Sequence, residues 1–149
     1  QDEPINANFR HGNNGRDDFR VGYVGKVFNI ASNSKSYYEA LLENVRGDAN
    51  AFMAKATLDG ENLCASLMID FAGTRTYVHG ASSNSRRNVM APYALHWYLI
   101  KEAKSKGLLN YDWFGITTSS SNKHVWQGIT RFKKGFGGSV GPRLFCCAC

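Results

Sequence analysis

Tyr111-Asp112-Trp113-Phe114-Gly115-Ile116, followed after a polar loop by Gly128-Ile129-Thr130-Arg131-Phe132-Lys133-Lys134-Gly135-Phe136-Gly137-Gly138, is too particular a sequence to be generic core. The first segment is apolar, carries one acid and closes on Gly. The second is a short helical run with a Phe-Lys pair ahead of a double Gly. An unpaired carboxylate in an aromatic strand is expensive, so Asp112 has either a structural partner, such as a buried amide or an Arg, or a task as general base. Just upstream, Gly107 stops a helix expected over 91–106, with Pro92 near its first turn, where the missing amide costs little. Leu95, Leu99 and Ala103 share one face of that helix with Tyr93, Trp97 and Ile100 beside them, while Lys101, Glu102, Lys104 and Lys106 face water. A strand, a loop, this helix and a strand over 110–115 imply a parallel crossover.

Further outward, Asp59-Gly60 between the apolar runs 51–58 and 63–71 is a strong hairpin signal. A third strand, 74–79, follows the Ala72-Gly73 turn and completes an antiparallel meander. Ser36 with Glu39 three residues later is a capping box opening a helix over 36–46, ended by Gly47. The polar loop 80–90 precedes the crossover helix. A Ser/Thr-rich loop over 117–122, a helix over 124–134 and a closing strand over 139–145 follow. Residues 19–30 fit a strand or a short helix equally, and 1–18, rich in Asn, Gly and Asp, read as an irregular lead-in.

A chain of 149 residues holds one substantial core. Its 43% hydrophobic and 20% charged residues are ordinary for a globular protein, and no apolar run approaches the ~20 residues of a membrane span. Residues 1–15 show no apolar signal region, so the expected location is cytoplasmic. The net charge of +6 suits an anionic partner, although the basic residues are scattered rather than gathered. Cys64 stands alone in a strand, and Cys146, Cys147 and Cys149 crowd the end without metal or disulfide spacing, which reads as a frayed tail rather than a zinc site. The four His lack metal spacing, and no Ser/His/Asp or Cys/His set presents a nucleophile.

These segments, together with Ser36-Tyr37-Tyr38-Glu39-Ala40-Leu41-Leu42-Glu43 and His79-Gly80-Ala81-Ser82-Ser83, give residues 20 to 145 a sequence that resembles the FemA/FemB/FemX family of peptidoglycan-bridge aminoacyltransferases. The resemblance implies a mixed α+β domain of the acetyltransferase (GNAT) fold, with a central mixed, mostly antiparallel sheet flanked by helices. It places the lead-in at 1–18 and the second of the family's two tandem domains at 19–149. It implies an aminoacyl group moved from aminoacyl-tRNA to the amine of a nucleotide-linked or lipid-linked peptidoglycan precursor, with no cofactor. A homodimer that rebuilds the two-domain arrangement and a peripheral membrane contact are compatible with it.

By the same resemblance Lys133 stabilises the oxyanion or the tRNA acceptor end, with Lys134 as its competitor, and Phe132 offers a face for the terminal adenine. On that footing Lys133→Ala is expected to lower transfer while leaving the fold intact. Acetyl-CoA-dependent members of the fold carry a Gly-rich loop before the crossover helix; here that loop is Ser82-Ser83-Asn84-Ser85-Arg86-Arg87-Asn88-Val89-Met90-Ala91-Pro92. It lacks the bare-amide turn a pyrophosphate needs. Its donors, Ser83, Asn84, Arg86 and Arg87, are either anion contacts or solvated side chains. Tyr38 and Tyr93 are candidate acceptor contacts. An acyl-CoA-dependent N-acyltransferase and a non-catalytic tRNA or nucleotide-sugar binding module are the competing functions.

Overall fold

The computed structural model describes residues 7–8, 19–23, 34–45, 47–116, 127–140 and 145–148. The described strands form one sheet in the order β1-β2-β3-β4-β5-β6-β8-β7. These are β1 (Ala7–Asn8), β2 (Phe19–Tyr23), β3 (Asn50–Leu58), β4 (Glu61–Phe71), β5 (Thr74–Ser82), β6 (Asn110–Asp112), β7 (Ser139–Val140) and β8 (Phe145–Ala148). Every neighbouring pair is antiparallel except β5 with β6. The helices are α1 (Lys35–Asn44), α2 (Ala91–Ser105) and α3 (Gln127–Lys134), with a single 3₁₀ turn at Arg87–Val89. The mixed, mostly antiparallel sheet flanked by helices is the architecture expected from the sequence.

The meander forms for the anticipated reason. Asp59 and Gly60 have φ of 49° and 81°, the pair of positive values that a tight hairpin matched to the strand twist requires. Alternation then sorts the strands between two cores. Ala54, Ala56, Cys64 and Met68 pack on one face with Leu95, Leu99 and Ala103 of α2, while Met53 and Leu67 meet Tyr38 of α1 on the other. Gly107, at φ 78°, closes α2 with Leu108 N–H donating to Ala103 O and Gly107 N–H to Lys104 O, so the last carbonyls are satisfied.

Several boundaries differ from expectation. Ser34, not Ser36, caps α1, its Oγ accepting from Tyr37 N–H at 3.2 Å. The expected loop over 80–90 begins as strand, because β5 runs on to Ser82. In α2 the buried side is Ala91, Leu95, His96, Leu99 and Ala103, and Trp97, expected beside the apolar face, is 49% exposed. The expected closing strand over 139–145 resolves into β7 and β8. β8 places Cys146 opposite Asp112 and Cys147 opposite Tyr111, so these two cysteines belong to the sheet rather than to a frayed tail. Ala7–Asn8, within the expected lead-in, pairs with Arg20 and Val21. The expected loop over 117–122 and the first residues of the helix expected from His124 lie outside the described residues. Among the described residues, no helix is long and apolar enough to cross a membrane.

Candidate functional site

The site is the place where the parallel pair comes apart. β5 pairs with β6 only from Thr74 to Thr76, opposite Asn110 to Asp112, and then continues to Ser82 with β4 alone. Asp112 turns the chain away: its Oδ1 accepts from Phe114 N–H at 2.8 Å, and Phe114 takes a left-handed φ of 62°. The carbonyls of Trp113 and Gly115, beyond the last ladder pair, each accept a hydrogen bond of 2.6 Å from Lys133 Nζ on α3. An ammonium thus takes the place that a continuing strand would fill.

That placement weighs against the expectation that Lys133→Ala leaves the fold intact, because the side chain is built into the interior. It is 6% exposed, whereas Lys134 is solvated. Burial lowers the Lys133 pKa below the usual lysine value, and Asp112 opposes that shift. Burial likewise raises the Asp112 carboxyl, against the Phe114 amide and the Lys133 charge. The Nζ also lies 5.4 Å from the centroid of the Tyr77 ring. A salt-bridged acid and base in water would behave differently from these two groups, each partly deprived of solvent and held mainly by backbone.

Two cavities open at the splayed end, of about 500 Å³ and about 200 Å³, and Ser82, Arg87, Pro92 and Phe132 border both. Phe132 is fixed edge-on to Tyr93 at 4.7 Å and to Trp113 at 5.8 Å, and Tyr93 stacks on Phe136 at 5.5 Å. Phe132, Tyr93, Arg86, Arg87 and Ser83 therefore gather around the smaller cavity. Lys133 and Asp112 border neither and sit behind the wall. Asn84 is exposed on the loop and also borders neither. Tyr38 is fully buried against α1 and the opposite face of the sheet, edge-on to His79, away from the other candidates.

Part of the loop's backbone is already committed. Met90 N–H donates to Arg87 O and Tyr93 N–H to Met90 O, while Pro92 has no amide to offer. Arg86 and Met90 both take left-handed φ, 47° and 51°. Side-chain charge is the other thing this helix start offers an anion. The two arginines are not equivalent: Arg86 pairs with Asp59 at 2.7 Å and Glu61 at 3.5 Å on the β3–β4 hairpin. Among the described residues the Arg87 guanidinium has no ion-pair or hydrogen-bond partner.

Two buried polar centres escaped the sequence reading. Arg75, fully buried, grips Asp70 through two hydrogen bonds of 2.7 Å, reaches Leu99 O at 3.0 Å and pairs with Glu102. Burial would lower its pKa, but the two carboxylates hold it above the ordinary arginine value. The register that sets Asp70 opposite Arg75 across the Ala72-Gly73 turn was the available signal. The second is His96, 2% exposed on α2, with Nε2 3.2 Å from Ser66 Oγ and Nδ1 2.7 Å from the Tyr111 hydroxyl. Burial and the Lys133 charge push its pKa down to about 3, so the imidazole is neutral. Burial raises the Cys64 thiol to about 12, which removes it as a nucleophile at neutral pH.

Residues 31–143 match the FemAB family. The chain belongs to the FemAB family. It is 32% identical over 80 residues to aminoacyltransferase FemB of Staphylococcus epidermidis, covering 52% of this chain and 19% of that protein. It is 33% identical over 64 residues to aminoacyltransferase FemA of the same organism, covering 43% of this chain and 15% of FemA. The matched part is thus a fraction of those relatives' length. In fold, the chain is similar to the ribosomal-protein-S18-alanine N-acetyltransferase of Escherichia coli, with a TM-score of 0.53 at 12% identity, covering 76% of this chain and 72% of that one. The fold is therefore of the acetyltransferase type.

Proposed function

We propose that this FemAB domain, spanning 19–149 as one unit, serves an aminoacyltransferase of peptidoglycan-bridge synthesis. In this reading it receives the acceptor end of an aminoacyl-tRNA and passes the aminoacyl group to an amine of a peptidoglycan precursor. The observation that carries the reading is the FemAB match over residues 31–143. The splayed sheet end supports it: an unpartnered guanidinium, two aromatic faces and a cavity of about 500 Å³ suit a phosphate, a base and a small acyl group in turn.

Aminolysis of an ester needs no metal or covalent intermediate. The attacking amine forms the new amide bond, the 3′-oxygen of the tRNA leaves, and the amine's proton goes to solvent or the leaving oxygen. In this scheme Arg87 holds a phosphate, Phe132 and Tyr93 flank the terminal base, and Lys133 contributes a fixed positive field from behind the wall. Asp112 keeps the Lys133 carbonyl cage in shape through its turn.

An acyl-CoA donor is the rival, since the fold neighbour is an N-acetyltransferase. The committed amides of Met90 and Tyr93 weigh against it. Filter binding of an aminoacylated acceptor-stem minihelix at two salt concentrations, beside calorimetric titration with acetyl-CoA, decides between them. Salt-sensitive minihelix binding without coenzyme A binding is expected. Micromolar acetyl-CoA affinity with no RNA binding would overturn the proposal, and RNA binding by a chain that never turns over in a complete transfer assay would make this a binding module.

A further inference from the structure

From the floor of the larger cavity, where Ser66 and His96 border it, a chain of three hydroxyl and imidazole groups runs inward to Tyr111, and the transfer scheme has no use for it. Ser66 is 2% exposed, borders the cavity, and lies on β4 between Cys64 and Met68, facing α2. His96 joins its hydroxyl to that of Tyr111, at 3.2 Å and 2.7 Å. A neutral imidazole has one N–H and one bare nitrogen, so the chain must run in one direction. The shorter contact fits a phenol O–H donating to Nδ1, since a phenol is the better donor and O–H bonds are the shorter ones. Nε2–H then donates to Ser66 Oγ. Among the described residues Ser66 Oγ has no other hydrogen-bond partner, and its own O–H is left to donate into the cavity.

We infer that Ser66, oriented by His96 and Tyr111, is a donor that reads an acceptor oxygen, a carbonyl, on a small acyl group seated in the larger cavity. Gly80, which lies opposite Ser66 in the β4–β5 ladder, borders that seat. It has no room for a side chain, because a Cβ there would sit 2.2 Å from the Tyr77 hydroxyl. Calling the carbonyl that of the aminoacyl group rests on the transferase reading; the direction and the donor rest on the geometry alone.

The relay is tested in the free chain by ¹⁵N NMR of the His96 ring. Protonation at Nε2 is expected, and the Nδ1–H tautomer would overturn the inference. Titration with glycinamide, which carries the carbonyl, and with ethylamine, which lacks it, is the second arm. Glycinamide should shift the His96 ring and the Ser66 amide, ethylamine should not, and Ser66→Ala should abolish the response while Ser105→Ala, at the exposed end of α2, keeps it. Equal responses to both amines, or none, would overturn the assignment, as would a glycinamide response that survives in Ser66→Ala with its amide spectrum otherwise unchanged. The minihelix separates this from the donor reading: with an amide-linked glycyl minihelix, Ser66→Ala should weaken binding about three- to tenfold, with uncharged minihelix unaffected. If no minihelix binds but glycinamide does, the tRNA reading fails and the carbonyl site stands.

Discussion

β5 has two ends, and each is built around a buried cation. At the closed end, where β4 and β6 both pair with it, Arg75 sits between Asp70 and Glu102 and is anchored to Leu99 O. At the open end, beyond Thr76, Lys133 is held by two backbone carbonyls, with Asp112 as its electrostatic counterweight. The first cation is matched by two carboxylates and its pKa rises; the second is undercompensated and its pKa falls. Full neutralisation marks a cation that fixes a scaffold. An incompletely matched one next to a cavity keeps a field that a developing negative charge can use.

The largest effect should come from breaking the closed end. Arg75→Met strands Asp70 and leaves Glu102 with Lys106 alone of its two cations, and removing one member of a buried ion set costs about 3–5 kcal/mol. Denaturant unfolding should show that loss, and Asp70→Asn combined with Arg75→Met should recover part of it. A loss below ~1 kcal/mol would mean that the closed end is not the scaffold.

Acid should act at the open end. His96 titrates at about 3 in the folded chain against an ordinary 6.5, so between those values the unfolded state binds more protons. Stability from this group is fully present above pH 6.5 and falls as pH drops toward 3, with a slope of up to ~1.4 kcal/mol per pH unit. Asp112 works with the opposite sign, because its raised pKa means that protonation relieves a buried charge. The difference between wild type and His96→Gln therefore isolates the imidazole, and the variant should show a flatter acid limb in thermal melts from pH 7 to pH 4. Parallel limbs would show that His96 is hydrated rather than buried.

Lys133 and Lys134 sharpen the contrast within one helix. Lys133→Met leaves the carbonyls of Trp113 and Gly115 without their donor, which should cost on the order of 1–3 kcal/mol, while Lys134→Ala should stay within about 0.5 kcal/mol. In a complete transferase, Lys133→Met should also lower the transfer rate on the order of a hundredfold. Equal stability of the two variants would mean that the Lys133 ammonium is solvated rather than built into the fold.

Those residues show how far the sequence could be read. The Asp59-Gly60 hairpin, the Ala72-Gly73 turn and the stop at Gly107 were legible because backbone φ at a turn is decided locally. The partner of α1's first turn was not, since Ser34 and Ser36 both suit an N-cap and only Ser36 has the Glu three residues on that the capping box asks for. Phe132, Tyr93 and the 82–92 loop could each be singled out in the sequence, but their gathering at one cavity could not, because it depends on how α3 packs against the start of α2. The inward phase of Lys133 was not legible either: Phe-Lys-Lys on a short helix leaves its buried face undecided until the free carbonyls past β6 exist to receive an ammonium. His96 was hidden for a related reason, since a His beside a Trp on an amphipathic helix gives no sign of which one turns inward.

The smallest effect separates the two loop arginines. Arg86 is 42% exposed in its side chain, and its pairs with Asp59 and Glu61 lie at the hairpin surface, where such contacts are worth about 0–1 kcal/mol. Arg86→Ala should therefore lower stability slightly and leave RNA affinity nearly unchanged, because its charge is already shared with two carboxylates. Arg87→Ala should do the reverse, leaving unfolding where it was while weakening minihelix binding and reducing the slope of log affinity against log salt by about 0.7–0.9, the loss of a single phosphate contact. Both quantities come from one set of filter-binding isotherms at four salt concentrations. If the two arginines reduce the slope equally, the loop binds RNA by its summed charge, and Arg87 at the open end of β5 has no privileged contact.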